Sequence, residues 1–256
     1  MQKSRATPAM PDAADGADRV RMLLGRNLTH GLVDVIGRGV VVGDYDRTRF
    51  PTEAELATRH GVSRSVTREA VKMLTAKGLL TARPRQGTLI QPSDQWNLFD
   101  ADVLRWLLER KFSLDLLRQF NELRIAIEPA AAALAARAAL PAERAAIATG
   151  YQRMAAAEAG DDDTLEADIA FHVAILQASG NPFYRQFHDL VETALRTSIR
   201  FTNRLKGHSA SLPAHHAVLA AIEARDPAAA EAHMLDIIAE VLVLIRAAEA
   251  PAPAAG

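Results

Sequence analysis

Residues 51–78 read PTEAELATRHGVSRSVTREAVKMLTAKG, and this stretch decides the fold of the N-terminal part of the chain. Thr52 followed by Glu55 is a capping box, because its hydroxyl and carboxylate can satisfy free backbone amides at the start of a helix. We therefore predict a short helix that ends before Gly61, a tight turn there, and a second helix over Arg64–Lys77. Helix, glycine-containing turn and helix in this order are typical of a helix-turn-helix.

The second of these helices has two distinct faces. Arg64, Arg68 and Lys72 recur every four residues along one face, and apolar side chains occupy another. Its first turn carries three hydroxyl groups, those of Ser63, Ser65 and Thr67. Arginine can pair with guanine in the major groove and hydroxyls can reach phosphates or bases, so this composition suits a recognition helix. Taken alone, such a basic stripe is more often a solvated surface.

A short hairpin follows this helix. Residues 79–83 and 88–90 are predicted strands, and the turn between them contains Arg85, Gln86 and Gly87. A basic, glycine-bearing hairpin after a helix-turn-helix indicates a winged helix, whose wing tip can contact a neighbouring groove or phosphates.

The charge of the chain is divided between two parts. The formal net charge of the 256 residues is −1, which on its own argues against a nucleic-acid partner. Residues 19–91, however, carry 13 Lys and Arg against six Asp and Glu, a balance of +7, whereas residues 92–256 carry a balance of −7. The total therefore hides a basic module in the part that contains the winged helix.

Composition also excludes several classes of protein. Cysteine is absent, so disulfide scaffolds, cysteine nucleophiles and thiolate-held metals are excluded, and any metal must be held by His and carboxylates. No apolar run is long enough for a transmembrane helix, and the first 18 residues lack the apolar core of a secretory signal. A cytoplasmic protein without a membrane partner is the expectation from these observations.

The rest of the chain is rich in Ala, Leu, Glu and Arg and shows no strand pattern. We predict one helix before the helix-turn-helix, at Val20–Gly37, with a short apolar run at Val40–Val42 after it. The helices predicted for the acidic part are Ala101–Glu109, Leu114–Ala139, Pro141–Ala159, Asp161–Ser179, Pro182–Leu205, Leu212–Ala224 and Pro227–Ala248. Because short loops join them, these helices predict a bundle.

The expected fold class is therefore mainly α, with an N-terminal winged helix-turn-helix and a C-terminal all-α helical bundle. The predicted division is a disordered tail at 1–18, the winged helix-turn-helix DNA-binding domain at 19–91, a linker at 92–100, the helical-bundle effector-binding and dimerisation domain at 101–248, and a disordered tail at 249–256.

Two pairs of residues in the acidic part have functional chemistry at a spacing of four. Asp168 and His172 place a carboxylate and an imidazole on one helix face, a pair that suits Zn²⁺, Mn²⁺ or Ni²⁺, although such a pair is more often a surface hydrogen bond. Arg124 and Glu128 lie in an apolar helix, either as an intrahelical salt bridge or with the arginine directed at a ligand carboxylate. Later helices supply further histidines, namely His215, His216 and His233, and further arginines, namely Arg196 and Arg200.

The helix-turn-helix residues resemble the DNA-binding domain of GntR-family transcription regulators. The resemblance is carried by Pro51-Thr-Glu-Ala-Glu-Leu, Gly61-Val-Ser-Arg-Ser-Val-Thr-Arg-Glu-Ala-Val, Lys77-Gly-Leu-Leu and the Gly87 wing. It implies DNA contacts from Ser63, Arg64, Ser65, Arg68, Gln86 and Gly87. One departure is Ala54, since many relatives have a phosphate-binding arginine there.

The acidic part resembles the all-helical FCD domain of the FadR branch of that family. Matching segments are Glu122-Leu-Arg124-x-x-x-Glu128, Asp168-x-x-x-His172, Gly180-Asn-Pro and His215 followed by Ala221-Ile222. The resemblance implies a divalent metal held by Asp168, His172 and His215. It also implies a carboxylate effector held by the metal and an arginine. Our candidate effector-binding residues are Arg124, Glu128, Arg196 and Arg200. The family's fourth ligand position is Ile237 here, so His216 or His233 substitutes, water completes the sphere, or no metal binds.

The segment that joins the two parts narrows the resemblance further. Asp94-Gln-Trp-Asn-Leu-Phe-Asp-x-Asp-Val-Leu-x-Trp106 is similar to the interdomain segment of sugar-acid operon repressors of the galactonate type.

These resemblances imply a ligand-responsive repressor that binds a pseudo-palindromic DNA operator as a homodimer, since one winged helix buries too little surface for tight specific binding. The alternatives are a metal-dependent enzyme fused to a DNA-binding module and a purely structural helical adaptor.

Overall fold

The computed structural model describes residues 28–46, 49–83, 85–110, 113–206 and 211–249, and the side chains of 110 and 199–206 lie outside the description. The predicted tail at 1–18 and the helix start at 20–27 also fall outside it. The chain divides into two compact units, Met1–Arg110 and Lys111–Gly256.

The first unit is a winged helix. Its elements are α1 (Leu28–Val42), α2 (Glu53–His60), α3 (Arg64–Ala76), β1 (Leu80–Arg83), β2 (Gly87–Ile90) and α4 (Ala101–Arg110). Strands β1 and β2 are antiparallel, with Leu80 opposite Ile90 and Arg83 opposite Gly87. The predicted helix-turn-helix and hairpin are thereby confirmed.

Local chemistry explains where α2 and α3 begin and end. The backbone amide of Thr52 donates to the Glu55 carboxylate at 2.7 Å, and the Glu55 amide donates to the Thr52 hydroxyl at 3.3 Å, which completes the capping box. Gly61 ends α2 with a φ of 63°, a left-handed conformation that glycine adopts without a steric penalty. The hydroxyl of Ser63 then caps α3 by accepting from the Val66 amide.

Helix α1 is longer at its C-terminal end than the sequence pattern indicates. The apolar run Val40–Val42, predicted to follow a helix ending at Gly37, forms the last turn of α1. Val40 and Val41 are buried in the core of this unit, together with Leu32 and Ile36 from the preceding turns. Continued helix keeps these side chains on the buried face, so burial outweighs the low helix propensity of valine.

Helix α4 belongs to the first unit, although the sequence assigned it to the bundle. Trp106 is fully buried there, and its indole N–H donates to Asp34 Oδ1 of α1 at 2.8 Å. A Cβ on Gly37 would lie 2.3 Å from the Trp106 ring, so glycine is what allows this close approach. The observed boundary therefore falls at Arg110 and not within the predicted linker at 92–100.

The predicted linker segment is itself fixed to the winged helix. The Lys77 ammonium donates to both carboxylate oxygens of Asp100 at 2.8 Å, and the Asn97 amide donates to the Lys77 carbonyl at 3.1 Å. These contacts tie the segment to the end of α3.

The second unit is entirely helical in its described residues. Its helices are α5 (Leu114–Ala138), α6 (Pro141–Ala159), α7 (Thr164–Ala178), α8 (Pro182–Gln186), α9 (His188–Lys206), α10 (Leu212–Glu223) and α11 (Pro227–Glu249). The single helix predicted over Pro182–Leu205 is two, because the Phe187 amide donates to the Tyr184 carbonyl in a tight turn that ends α8. None of the described helices is long and apolar enough to cross a membrane.

Close packing sets the position of α7, which carries two of the candidate ligands. Helix α6 packs along α7, and a Cβ on Gly150 would lie 2.9 Å from the Phe171 Cα, so the two backbones approach closely at this point. Phe171 is fully buried. Helix α7 also packs against α5, and α10 packs against α5, α6 and α11.

Candidate metal centre and nucleic-acid interface

The exposed face of α3 is basic, and among the described residues Lys72 is the one member of its basic stripe that has a carboxylate partner, Glu69 at 3.6 Å. Arg64 and Arg68 are exposed, and neither pairs with an Asp or Glu among the described residues. The hydroxyls of Ser63 and Ser65 lie 2.8 Å apart at the start of the same helix and are also exposed. Two unpaired guanidinium groups beside two hydroxyls can contact phosphates and base edges.

Thr67 does not belong to this face, although the sequence grouped it with Ser63 and Ser65. Its side chain is fully buried, and its hydroxyl donates to the Ser63 carbonyl at 3.2 Å. A threonine four residues into a helix can satisfy its hydroxyl in this way, which leaves its methyl group for the core.

The wing tip is exposed as predicted, at Gln86 and Gly87. Gly87 has a φ of 82° and Arg85 a φ of 66°, so the turn contains two residues in the left-handed region. A Cβ on Gly87 would meet nothing within 4 Å. Pro84, at the start of the predicted turn, lies outside the described residues.

Asp168 and His172 of α7 meet His215 of α10 in the interior of the helical unit. One ligand atom from each lies within 4.8 Å of the others, and all three side chains are buried. Asp168 Oδ1 lies 3.4 Å from His172 Nε2 and 3.2 Å from His215 Nε2. The sequence placed the first two on one helix face, and the fold adds the third.

The imidazoles of His172 and His215 also make hydrogen bonds through Nδ1, the ring nitrogen that does not face Asp168. His172 Nδ1 lies 2.6 Å from Glu128 Oε2, and His215 Nδ1 lies 2.8 Å from the Ser211 carbonyl oxygen. Because both acceptors call for a proton on Nδ1, the neutral form of each ring presents its Nε2 lone pair to Asp168.

Two buried atoms of this group have no hydrogen-bond partner, namely Asp168 Oδ1 and His215 Nε2. In the neutral rings, the Nε2 lone pairs of His172 and His215 both face the Asp168 carboxylate oxygen. This arrangement is unfavourable unless a cation lies between them, since buried polar atoms are normally satisfied. One carboxylate and two imidazoles, with outer hydrogen bonds to their second nitrogens, form a donor set that fits a divalent metal ion.

The electrostatics of the group favour positive charge. Burial alone would lower the pKa of His172, but the carboxylates of Glu128 and Asp168 raise it to about 9. Burial opposes ionisation of Glu128, yet Arg124 and His172 lower its pKa to about 2. The two histidines likewise hold the pKa of Asp168 well below its usual range despite burial. Both carboxylates are therefore ionised and available to a cation.

Arg124 forms the intrahelical ion pair that the sequence offered as one of two interpretations. It is 3% exposed, and its Nε donates to Glu128 Oε1 at 2.5 Å. Its Nη2 donates to Glu128 Oε2 at 3.3 Å and its Nη1 to Asn121 Oδ1 at 3.0 Å. Sequence reasoning missed Asn121, a buried polar residue whose spacing of three from Arg124 was the available signal.

Helix α9 carries both of the other arginines predicted to hold the effector, Arg196 and Arg200. Arg196 pairs with Glu166 and with Glu192, so its charge is already balanced by two carboxylates. Arg200 lies on α9, but its side chain is outside the described part. Their role in holding an effector stays a prediction.

The positions of His216 and His233 show whether either of them could be the fourth protein ligand. The only group of potential ligand atoms close enough for a metal in the described part consists of Asp168, His172 and His215. His216 is exposed and packs against the Tyr151 ring, at 5.4 Å between centroids, and His233 is half-buried on α11. Neither histidine therefore takes the ligand place that the resemblance gives to Ile237.

A winged helix followed by a helical unit with a buried group of potential metal-ligating residues is typical of one class of protein, the transcription regulator that responds to a small molecule. The chain belongs to the GntR family of these regulators. A profile described as "Bacterial regulatory proteins, gntR family" matches residues 47–90, and one described as "FCD domain" matches residues 119–240.

Relatives support this assignment. The galactonate operon transcriptional repressor of Escherichia coli (strain K12) is 34% identical over 218 residues, which cover 83% of this chain and 94% of that protein. The HTH-type transcriptional regulator YieP of the same organism is 34% identical, covering 80% of this chain and 90% of that protein. The HTH-type transcriptional regulator LutR of Bacillus subtilis (strain 168) is 30% identical over 70% of this chain and 83% of its own. The chain is thus a DNA-binding regulator and not an enzyme.

Proposed function

We propose that the chain is a repressor whose helical unit binds a divalent metal and, through it, a small carboxylate effector such as a sugar acid. The observation that carries the proposal is the buried group Asp168, His172 and His215, in which Asp168 Oδ1 and His215 Nε2 lack a hydrogen-bond partner. A cation bound to all three would satisfy both atoms.

In this proposal the chain supplies three ligands and leaves the other coordination positions to water or effector. Bound there, Zn²⁺, Mn²⁺ or Ni²⁺ would supply a Lewis acid that accepts a carboxylate. Glu128 and the Ser211 carbonyl orient the two imidazoles, and Asp168 lowers the net charge. Ile237 in place of a fourth histidine leaves room for one more exchangeable ligand.

The metal is proposed as the main anchor of the effector because Arg124 and Arg196 are already paired with carboxylates. Arg124 is bonded to Glu128, and Arg196 to Glu166 and Glu192. Arg200 remains a proposed contact. A sugar acid is the favoured class because the galactonate operon repressor is similar to this chain over most of its length.

The DNA partner is a proposed pseudo-palindromic operator bound by a homodimer in the cytoplasm. The proposed base and phosphate contacts are Ser63, Arg64, Ser65, Arg68, Gln86 and Gly87, which are all exposed. One such module buries too little surface for tight specific binding, whereas two would read two half-sites one helical turn apart. The proposed roles of residues 113–249 are effector binding and dimerisation.

Regulation requires that the effector bind one state of the protein more tightly than another. The test is a gel-shift titration with operator fragments selected from genomic DNA, with and without D-galactonate, in Zn²⁺ buffer and after chelation. We expect galactonate to release DNA only when metal is present. Galactose, which lacks the carboxylate, is the matched control.

Two results would contradict the proposal. Equal release by galactonate before and after chelation would remove the metal from the mechanism. Retention of DNA with every carboxylate in a panel of sugar acids would remove that class of effector.

A further inference from the structure

We infer that Arg124 and Glu128 act together to position the metal ligand His172. The inference rests on the proposed metal site and gives a positioning role to two residues that the sequence analysis proposed as effector contacts. Both are positioning residues, because they act on the site through His172.

Glu128 is the direct link. Its Oε2 lies 2.6 Å from His172 Nδ1, while its Oε1 accepts from Arg124 Nε at 2.5 Å. Glu128 is 1% exposed and His172 is 2% exposed, so water does not compete for this bond. A carboxylate on Nδ1 keeps the proton there, turns Nε2 toward Asp168, and makes the imidazole a stronger ligand.

Arg124 holds Glu128 in the orientation that this bond needs. Three guanidinium nitrogens are engaged, two with Glu128 and one with Asn121 Oδ1. Asn121 is fixed in turn, since its Nδ2 donates to the Leu117 carbonyl at 2.8 Å and lies 3.4 Å from the Ser198 hydroxyl. The plane of the guanidinium is therefore determined by α5 itself, with a contact from α9.

His215 lacks such a relay. Its Nδ1 is held by the Ser211 backbone carbonyl, so no side-chain substitution at 124 or 128 removes that contact. Changes at Arg124 should consequently weaken the site through one ligand only and should not abolish it.

The test measures binding of Co²⁺ alone to the full-length chain, by competition with a chromophoric chelator and by the visible spectrum of the bound ion. Variants are R124M, R124K and E128Q. The matched control is R118M, which changes an arginine on the same helix that pairs with Asp115 and Glu122 away from the site.

We expect R124M and E128Q to bind Co²⁺ about 10- to 100-fold more weakly, as is typical when an outer partner of a metal ligand is lost. R124K should fall between wild type and R124M, because lysine restores the charge but cannot hold both oxygens of Glu128. The Co²⁺ spectrum should change in R124M and E128Q and stay as in wild type in R118M.

The outcomes separate this inference from the proposed function. Wild-type affinity and an unchanged spectrum in R124M, R124K and E128Q would overturn the positioning role alone. Failure of the wild-type chain to bind Co²⁺ would overturn the metal site and the inference with it. If R124M does not fold, as circular dichroism would show, R124K and E128Q carry the test, since one keeps the charge and the other the shape.

Discussion

Two arginine-bearing helices of this protein use the same spacing of four residues for opposite purposes. On α3, Arg64 and Arg68 are both exposed and have no carboxylate partner in the described residues. On α5, Arg124 and Glu128 form an ion pair whose side chains are 3% and 1% exposed. The first arrangement keeps positive charge available to a partner, whereas the second uses it to hold a buried carboxylate.

The difference comes from the neighbouring residues and not from the spacing. The flanks of Arg124 are Leu123 and Ile125, in a helix that packs against α7 and α11. The flanks of Arg64 are Ser63 and Ser65, in a helix whose apolar side faces α1. A charged pair one helical turn apart therefore indicates a buried network only where apolar residues surround it.

The largest expected effect is the loss of stability when the charge of the buried Arg124 is removed, compared with the same change at the exposed Arg64. Arg124→Met leaves Glu128 buried without its main partner, so we expect the free energy of unfolding to fall by about 3–5 kcal/mol. Arg64→Met changes an exposed side chain, and its effect should stay within about 0.5 kcal/mol. Urea unfolding of the two variants measures both values. Equal losses would show that Arg124 is not the buried charge partner described above.

A metal ion should give the next largest effect, again confined to the buried region. Zn²⁺ at 100 times its dissociation constant should stabilise the folded chain by about 2.7 kcal/mol if it binds only the folded state. His215→Ala removes one of three ligands and should abolish this gain, while Arg64→Ala should retain it. Thermal unfolding with and without Zn²⁺ is the measurement. An undiminished gain in His215→Ala would place the ion elsewhere.

DNA affinity, in contrast to metal binding, should depend on the exposed arginines of α3. Arg64→Ala and Arg68→Ala should each weaken operator binding by about 1–3 kcal/mol, because each removes a charged contact to phosphate or guanine. A residue that contacts phosphate should also lower the salt slope of binding by about one. Arg118→Ala, a paired arginine of the helical unit, is the control and should bind as wild type. Gel shifts over a salt series would show whether either α3 arginine lies outside the interface.

Sequence reasoning reached the helices and the spacing of the site residues, since both depend on neighbours along one helix. The bounds of α2 and α3 followed from the Thr52 cap and from Gly61, and Asp168 with His172 followed from a spacing of four. The contact of Glu128 with His172 joins residues 44 positions apart, so no periodicity could show it. Similarly, the sequence pattern assigns Trp106 to the bundle, whereas its indole donates to Asp34, which lies 72 positions earlier in the chain.

The smallest expected effect concerns the histidines that the sequence left as alternatives at the fourth ligand position. His216→Ala and His233→Ala should leave Zn²⁺ affinity unchanged, because neither ring belongs to the close group of three. His216 contacts Tyr151 instead, and its loss should cost only that ring contact. Isothermal titration with Zn²⁺ gives the affinities, with His172→Ala as the positive control. A tenfold loss in either variant would mean that the bundle rearranges around the ion. The arrangement in which Asp168 Oδ1 and His215 Nε2 lack a hydrogen-bond partner would then be only one of two states of the bundle. The buried region would in that case be as adaptable as the exposed one.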